Sequence, residues 1–293
     1  MSTDPKRKVD HVIFDVDDVL IIMDEALLAA EAAIEAPLGR RFGPVTAKKV
    51  RENFTANYQT LLDHLRLPVG ARNEVYEKLR ARIDAWQKGV TDAGFEVKQW
   101  SRDTLLAVAI EDAGEQPSAA SVDEALNAYW STLTEKTRLY PDAAALCGTL
   151  RERGVTFHLA TNSDGFLSLD DQRRTFVYDP PSSAERKVAR LGATKTLGAE
   201  RRNITVGDPI GKPGAAYYAR VIQEFSDALG KQIDLTRTLA VGDSLKADVV
   251  PFLQAGVGYG AWLVRAAQTS GIDDTTQVPV IRSLSELGPM IFG

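Results

Sequence analysis

The stretch 9-VDHVIFDVDDVLII-22 places a short apolar run immediately before three closely spaced aspartates. Residues 12–14 are continuously apolar and partly β-branched, which predicts a strand buried inside a parallel sheet. Ligand sites of parallel sheets lie at the carboxyl ends of the strands, so Asp15, Asp17 and Asp18 are expected at such an edge. A pair of exposed loop acids is the alternative interpretation of Asp15 and Asp17, and the apolar run before them disfavours it.

A long helical block follows this strand. From about residue 24 to 137, apolar residues recur at three-to-four spacing, which predicts helices separated by prolines and glycines. Strand-and-helix alternation then resumes in VTFHLATNS, TRTLAVGDS, GVGYGAWLV and VPVIRSLSEL. We therefore predict an α/β fold, in which a Rossmann-like parallel sheet core domain of residues 1–22 and 138–293 carries an all-helical cap domain inserted at residues 23–137.

The composition is typical of a globular protein that acts on small molecules. The 293 residues carry a net charge of −5 with a pI near 5.4, which argues against broad electrostatic binding of nucleic acid, because such binding needs a concentrated basic face. We expect no membrane association, since no apolar stretch approaches the roughly 18 residues that span a bilayer. The N-terminus lacks the apolar segment of a signal peptide, so a cytoplasmic location is the default expectation, while the oligomeric state stays open.

A second acidic pair, Asp243 and Asp248, follows another apolar strand in TLAVGDSLKADVV. Parallel packing brings its end to the same edge as Asp15 and Asp17, where the concentrated negative charge requires a cation or hydrogen bonds. Mg²⁺ prefers a few carboxylates, with waters and substrate phosphate completing its shell. The two groups together therefore predict a Mg²⁺ site, although Asp243 and Asp248 alone are also typical of acids in the first turn of a helix.

Phosphate chemistry also needs groups that hold the transferring oxygens. A third strand end supplies Thr161 and Asn162 in HLATNS, whose polar side chains could equally cap the next turn. Lys212 in VGDPIGKPGAAYYARVI is the preferred cation, because Gly-Lys-Pro holds it in a defined turn before a helix whose first amides also favour an anion. The intervening stretch is long and also contains Lys187 and Lys195, which remain alternatives.

The order of these segments resembles the four motifs of the haloacid dehalogenase-like (HAD) superfamily of phosphohydrolases. DVDDV at 15–19 matches its D-x-D motif, Thr161 its hydroxyl motif, Lys212 in GKP its lysine motif, and GDSLKAD at 242–248 its acidic motif. Each motif alone is weakly specific, but the ordered set is strong and, with the helical insertion, covers essentially the whole chain. One departure is Asp18, which occupies a position where the family often has glycine.

The resemblance implies a role for each matching residue. Asp15 would attack phosphorus and form an aspartyl-phosphate, while Asp17 would protonate the leaving oxygen and then activate water. The substrate phosphate would be held by Thr161, Asn162 and Lys212. The implied Mg²⁺ ligands are Asp15, Asp17 through its carbonyl oxygen, Asp243 and, in a supporting position, Asp248.

The sequence favours a phosphatase that hydrolyses a small phosphorylated metabolite in a Mg²⁺-dependent reaction. A phosphoryl-transfer enzyme, such as a sugar-phosphate mutase, and a non-catalytic module that binds phosphorylated ligands are the alternatives. A dehalogenase is disfavoured because a leaving halide would not require the acid/base group at Asp17. Specificity is expected to come from the inserted domain, where Arg40 and Arg41 could face the site. No residue pattern distinguishes one class of phosphorylated metabolite from another.

Overall fold

The computed structural model of the chain describes residues 8–65, 73–191 and 197–293. Within these residues the strands are, in chain order, β1 (His11–Phe14), β2 (Ile21–Ile22), β3 (Arg138–Leu139), β4 (Thr156–Asn162), β5 (Leu167–Asp170), β6 (Thr175–Tyr178), β7 (Ile204–Gly207), β8 (Thr238–Gly242), β9 (Tyr259–Leu263), β10 (Gly271–Ile272) and β11 (Pro279–Ile281). The helices are α1 (Asp24–Ala33), α2 (Glu35–Phe42), α3 (Pro44–Leu65), α4 (Glu74–Trp86), α5 (Lys88–Asp92), α6 (Arg102–Asp112), α7 (Ala119–Lys136), α8 (Pro141–Glu152), α9 (Pro180–Arg190), α10 (Ala215–Leu229), α11 (Val250–Gln254) and α12 (Gly288–Phe292).

The chain divides into two compact units, and each of them is discontinuous in sequence. The core unit comprises Met1–Met23, Thr137–Asn162 and Leu191–Gly293, and the insertion unit comprises Asp24–Lys136 and Ser163–Arg190. The backbone therefore passes from one unit to the other at four points along the sequence. The single predicted insertion at residues 23–137 would require only two such points.

The core unit is built on a seven-stranded sheet with the strand order β10-β11-β9-β8-β1-β4-β7. Every neighbouring pair is parallel except β10 with β11. All four residues of β1 are buried, and Phe14 pairs with Leu159 on one side and with Val241 on the other. These three central strands therefore end at the same edge, which confirms the predicted α/β fold with a Rossmann-like parallel core.

Helix α10 packs against the central strands of this sheet. Its Tyr217, Val221 and Phe225 recur at four-residue spacing, so they lie on one face and are completely buried in a cluster with residues of β1 and β8. Gly230 ends the helix in the left-handed conformation, with φ at 65°, which a residue without a Cβ adopts at little cost. Burial of this face fixes the first turn of α10 and with it the loop that contains Lys212.

The insertion unit is organised around one buried helix. Every residue of α6 from Arg102 to Ile110 is buried, because α3, α4 and α7 pack around it. Helix α2 ends with Arg40 and Arg41, and both side chains are exposed to solvent. Within the described ranges, no helix combines the length and the apolar character that crossing a membrane would require.

The insertion unit also contains strands, which the prediction of an all-helical cap misses. Residues 163–190 belong to it and add the antiparallel hairpin β5–β6 and helix α9, although the prediction assigned this stretch to the core domain. Thr175 Oγ1 accepts a hydrogen bond from Gly89 N at 2.8 Å and donates one to Trp86 O at 2.9 Å. Arg102, which is buried, forms an ion pair at 2.9 Å with the partly buried Asp164. Such contacts join residues far apart in sequence, and local periodicity contains no signal for them.

Asp103 joins α6 to the hairpin. Its Oδ2 accepts hydrogen bonds from Leu167 N at 3.1 Å and from Ser101 Oγ at 3.2 Å, and the residue is only 4% exposed. Burial raises the pKa of this carboxyl group to about 7, against the lowering effects of the Leu167 hydrogen bond and of the Arg186 charge. The folded protein therefore retains a proton that the unfolded chain, in which this carboxyl group has its ordinary pKa of 3.8, releases at lower pH.

We expect Asp103→Asn to become more stable relative to the wild type as the pH rises from about 4 to 7. Over this window the wild type loses stability, because its folded state binds the proton more tightly than its unfolded state, and an amide has no such proton. Each unit of pKa difference corresponds to about 1.4 kcal/mol. The measurement is the urea midpoint of both proteins as a function of pH. Glu124→Gln, which removes an exposed carboxylate from α7, is the control, and its urea midpoint should change with pH in parallel with that of the wild type. A parallel curve for Asp103→Asn would contradict the prediction.

Candidate active site

Adjacent strands bring the candidate residues to one edge of the sheet. Asp15 directly follows β1, and its N–H donates to a carbonyl of β8 at 2.9 Å. Thr161 and Asn162 end β4, and Asp243 directly follows β8. Asp248 lies a few residues further on, in a short π-helical turn. The parallel register, rather than proximity in sequence, therefore gathers these side chains.

The loop that carries Asp17 is closed by its own backbone. The amides of Leu20 and Ile21 both donate to the Val16 carbonyl, at 2.9 and 3.2 Å, and Asp17 forms an isolated parallel bridge with Ile21. Strands β2 and β3 then pair antiparallel and lead the chain out of the loop and back to α8. The position of the Asp17 side chain thus depends on a compact turn and not on a long strand.

Asp18 occupies the left-handed position of this loop, with φ at 59°. Glycine adopts this conformation at little cost, and aspartate is among the few other residues that tolerate it, because its short side chain can bond nearby backbone. Asp18 Oδ1 does accept a hydrogen bond from Met23 N, at 3.3 Å. The acid at a position where the resemblance leads one to expect glycine therefore has a local structural explanation.

Lys212 reaches the carboxylates from the loop before α10. Its Nζ donates to Asp15 Oδ1 at 2.5 Å and to Asp248 Oδ1 at 2.7 Å, and its side chain is 5% exposed. Asn162 holds the lysine main chain, since its Oδ1 accepts from Lys212 N at 2.8 Å and its Nδ2 donates to Lys212 O at 3.4 Å. The side chain of Thr161 is buried, and its carbonyl accepts from Tyr217 Oη at 3.3 Å.

Three carboxylates form a compact group among the described residues. One oxygen from each of Asp15, Asp243 and Asp248 lies within 4.8 Å of the others. Asp248 Oδ2 also accepts from Ser244 N at 2.9 Å, and Trp262 Nε1 donates to the Asp243 carbonyl at 2.8 Å. The Asp17 side chain is not a member of this group, so any contribution of Asp17 to a metal would come from its backbone oxygen.

The charges in this cluster are not balanced by Lys212 alone. Burial raises the pKa of Asp15 well above its usual range, Lys212 opposes this increase, and the neighbouring carboxylates add to it. Burial and Asp248 raise the pKa of Asp243 to about 7. Burial lowers the pKa of Lys212, but Asp15 and Asp248 raise it overall well above its usual value, so the ammonium stays charged. An oxygen-only donor set with surplus negative charge fits a hard divalent cation such as Mg²⁺.

Two other lysines were alternatives to Lys212. Lys187 is 1% exposed in α9 of the insertion unit, and Lys195 lies outside the described residues. Other side chains that bond the loops of the site, such as Tyr218, Trp262 and Arg265, have no motif that would have identified them. The Gly-Lys-Pro context was therefore the useful signal for the cation, whereas the supporting residues become apparent only from the fold.

The sequence and the fold are similar to those of known proteins. The sequence profile of the haloacid dehalogenase-like hydrolases matches residues 9–256. A search of curated proteins found no significant match. Solved structures similar to the chain include YfnB of Bacillus subtilis, described as a HAD-hydrolase bound to magnesium, with a TM-score of 0.55 and 15% identity over 97% of this chain and 98% of that one. A 2-haloacid dehalogenase of Pseudomonas syringae pv. Tomato DC3000 has a TM-score of 0.55 and 21% identity over 97% of each chain. At these identities the structural similarity shows the fold alone.

Gly242 is the point of closest backbone approach in the site. A Cβ built at this residue would lie 2.1 Å from Asp248 Cβ, well inside van der Waals contact. The last residue of β8 must therefore lack a side chain for Asp248 to reach Lys212. By contrast, a Cβ built at Gly148, in the middle of α8, would meet no atom within 4 Å.

We expect Gly242→Ala to destabilise the protein by about 1–3 kcal/mol, because the added methyl group forces Asp248 and its turn to shift. Gly148→Ala is the matched control and should stabilise α8 by about 0.5–1 kcal/mol, since alanine favours helix. Urea denaturation of both variants measures the two effects. Equal midpoints for the two alanine variants would show that the Gly242 site accommodates a side chain.

Proposed function

The chain belongs to the haloacid dehalogenase-like hydrolases, and from this membership we propose that it is a Mg²⁺-dependent phosphatase. It would hydrolyse a small phosphorylated metabolite through an aspartyl-phosphate intermediate. The observation that carries the proposal is the 2.5 Å contact between Lys212 Nζ and the Asp15 carboxylate, with Asp243 and Asp248 beside it. This arrangement would bring together a nucleophile, a cation for the phosphoryl oxygens and a set of oxygen donors for a metal.

The reaction consists of two displacements at phosphorus. In the first, a carboxylate oxygen of Asp15 bonds to phosphorus, the bond from phosphorus to the leaving oxygen breaks, and Asp17 gives its proton to that oxygen. In the second, Asp17 takes a proton from water, the water oxygen bonds to phosphorus, and the bond to Asp15 breaks. Inorganic phosphate leaves, and both carboxyl groups return to their starting protonation states.

The phosphoryl oxygens would be held by Lys212 and Thr161. Lys212 supplies a fixed positive charge where negative charge develops, and such preorganised groups stabilise a transition state more than mobile ones. Asn162 contributes through Lys212, because both polar atoms of its amide bond the lysine main chain. The amide of Asn162 therefore acts here as a positioning group.

Mg²⁺ would be held by Asp15 and Asp243, with the Asp17 carbonyl and Asp248 in support. Bound there, it would neutralise charge on the phosphoryl oxygens and among the clustered carboxylates. The fit rests on the chemistry of the donors, since every side-chain candidate is a carboxylate oxygen within 4.8 Å of the next.

Asp17 favours a phosphatase over a dehalogenase. An alkoxide leaving group needs a proton, whereas a halide leaves without one, so the acid two residues after the nucleophile has a task only in the first case. A mutase and a binding module share the same site chemistry. They differ in the fate of the phosphoryl group, which passes to another hydroxyl in the first case and stays on the ligand in the second.

We expect Mg²⁺ to raise the unfolding temperature of the wild type, because a ligand that binds only the folded state stabilises it by about 2.7 kcal/mol at one hundred times its Kd. Asp243→Asn should lose this increase, since the variant lacks one of the three clustered carboxylates. Asp274→Asn, which changes an exposed aspartate outside the cluster, should keep it. The measurement is thermal unfolding in a Mg²⁺ titration. An undiminished increase in Asp243→Asn would remove Asp243 from the metal site.

Phosphate release decides between the candidate functions. We expect release from at least one class in a panel of sugar phosphates, nucleotides and phosphonates, dependent on Mg²⁺ and reduced by about 10³-fold or more in Asp15→Asn, which lacks the nucleophile. Asp274→Asn is again the control. Halide release from 2-chloropropionate would instead indicate a dehalogenase, and label transfer to an added sugar would indicate a transferase. Mg²⁺-dependent binding of a phosphoester without any release would indicate the binding module.

A further inference from the structure

Arg265 follows β9 and contacts the loop that carries Asp17. Its Nη2 donates to Val19 O at 2.8 Å, and its Nε donates to Asp18 O at 3.4 Å. The guanidinium carbon lies 3.5 Å from the centroid of the Tyr140 ring, so the planar group stacks on an aromatic face. Two consecutive carbonyls immediately after Asp17 are thereby bonded to a single side chain.

Asp142 fixes the orientation of this guanidinium. The two side chains form a bidentate pair, with Nη1 to Oδ2 at 3.0 Å and Nη2 to Oδ1 at 3.2 Å. Asp142 lies in the first turn of α8 and also accepts from Ser283 Oγ at 2.8 Å and from Leu284 N at 2.9 Å. A carboxylate bonded to three groups is held in one position, and it therefore also fixes the position of the arginine that is paired with it.

The loop is closed by internal hydrogen bonds, among them that of Asp18 N with Ile21 O at 3.0 Å, and Arg265 adds bonds to two of its carbonyls. Its turn is closed by two amides that share the Val16 carbonyl, and Asp18 adopts the left-handed conformation, which costs of order 1 kcal/mol or more for a residue with a side chain. A conformation of this kind persists only when surrounding groups enforce it. The bonds from Arg265 to the Asp18 and Val19 carbonyls add to this enforcement, next to the bond that Asp18 Oδ1 accepts from Met23 N.

We propose that Arg265 is a positioning residue, which keeps the Asp17 carboxyl group in place for proton transfer by holding the two carbonyls that follow it. This inference rests on the proposed phosphatase function. Arg265 acts through the loop and not on the substrate, and the groups proposed to bind phosphate, Lys212 and Thr161, do not depend on it. Its loss therefore affects proton transfer by Asp17, and assays at saturating Mg²⁺ separate this effect from any change at the Asp17 carbonyl, which would support the metal.

Arg265→Lys keeps the charge but cannot make the bidentate pair and both carbonyl bonds together. With an alkyl phosphate, whose leaving oxygen needs a proton, we expect kcat to fall by about tenfold or more, with KM within about twofold of the wild type. With p-nitrophenyl phosphate the leaving group needs no acid, so the first step keeps its rate while hydrolysis of the aspartyl-phosphate slows. Rapid mixing should then show a burst of nitrophenolate equal to the enzyme concentration. A merely structural defect would lower both activities in proportion and produce no burst.

Backbone hydrogen exchange gives a second test that does not need activity. Peptides covering Leu20 and Ile21 should exchange faster in Arg265→Lys than in the wild type, because their amides close the loop, while peptides from the centre of the sheet keep their protection. Asp142→Asn should reproduce both effects more weakly, since it removes the bidentate partner and leaves Arg265 in place. Arg282→Ala is the matched control, because Arg282 is exposed in the same unit and should change neither readout.

The outcomes separate this inference from the function on which it rests. If the wild type releases phosphate and Arg265→Lys matches it in both substrates and in loop exchange, the positioning role is overturned and the phosphatase stands. If Arg265→Lys also loses the hydrogen-exchange protection of the sheet, the variant is misfolded and Asp142→Asn, which retains the guanidinium, is used in its place. The absence of a burst in Asp142→Asn then overturns the inference. If the wild type releases no phosphate from any ester, the proposed function and this inference are overturned together.

Discussion

The buried contact of one ammonium group with two carboxylates constrains the rest of the core unit. Lys212, Asp15 and Asp248 are each nearly enclosed, and any one of them left without the others would cost several kcal/mol of desolvation. The three residues come from the end of β1, the loop before α10 and the turn after β8. These segments are therefore stable in their observed positions only together, and the parallel sheet is the scaffold that brings them to one edge.

The chemistry assigned to this edge depends on loops that the sheet itself does not hold. Each loop is held by a side chain from another element. Asn162 bonds the main chain of Lys212, Tyr218 the Ala247 carbonyl, Trp262 the Asp243 carbonyl, and Arg265 the carbonyls after Asp17. None of these side chains reacts. Together they hold the proposed reacting groups relative to one another, and groups positioned in this way lower reaction barriers.

The predictable part of the protein is the part with local signals. The apolar run before Asp15 and the Gly-Lys-Pro turn at Lys212 led to the sheet edge and to the cation beside Asp15, because strand ends and turn residues leave patterns in neighbouring positions. Membership of residues 163–190 in the insertion unit could not be predicted, since it depends on long-range contacts such as that of Thr175 with Gly89. Arg265 was missed for the same reason.

The central position of β1 also has a consequence for biosynthesis. This strand leaves the ribosome before either of its neighbours, and because β8 ends at Gly242, at about 5–20 residues per second this second partner appears on the order of tens of seconds later. During this interval the apolar strand has an unpaired edge, which is prone to aggregation. The insertion unit is complete at Arg190, before β8 is made. Nascent chains of this protein thus carry an exposed strand while the insertion unit is already complete, and chaperone binding would be most useful at that stage.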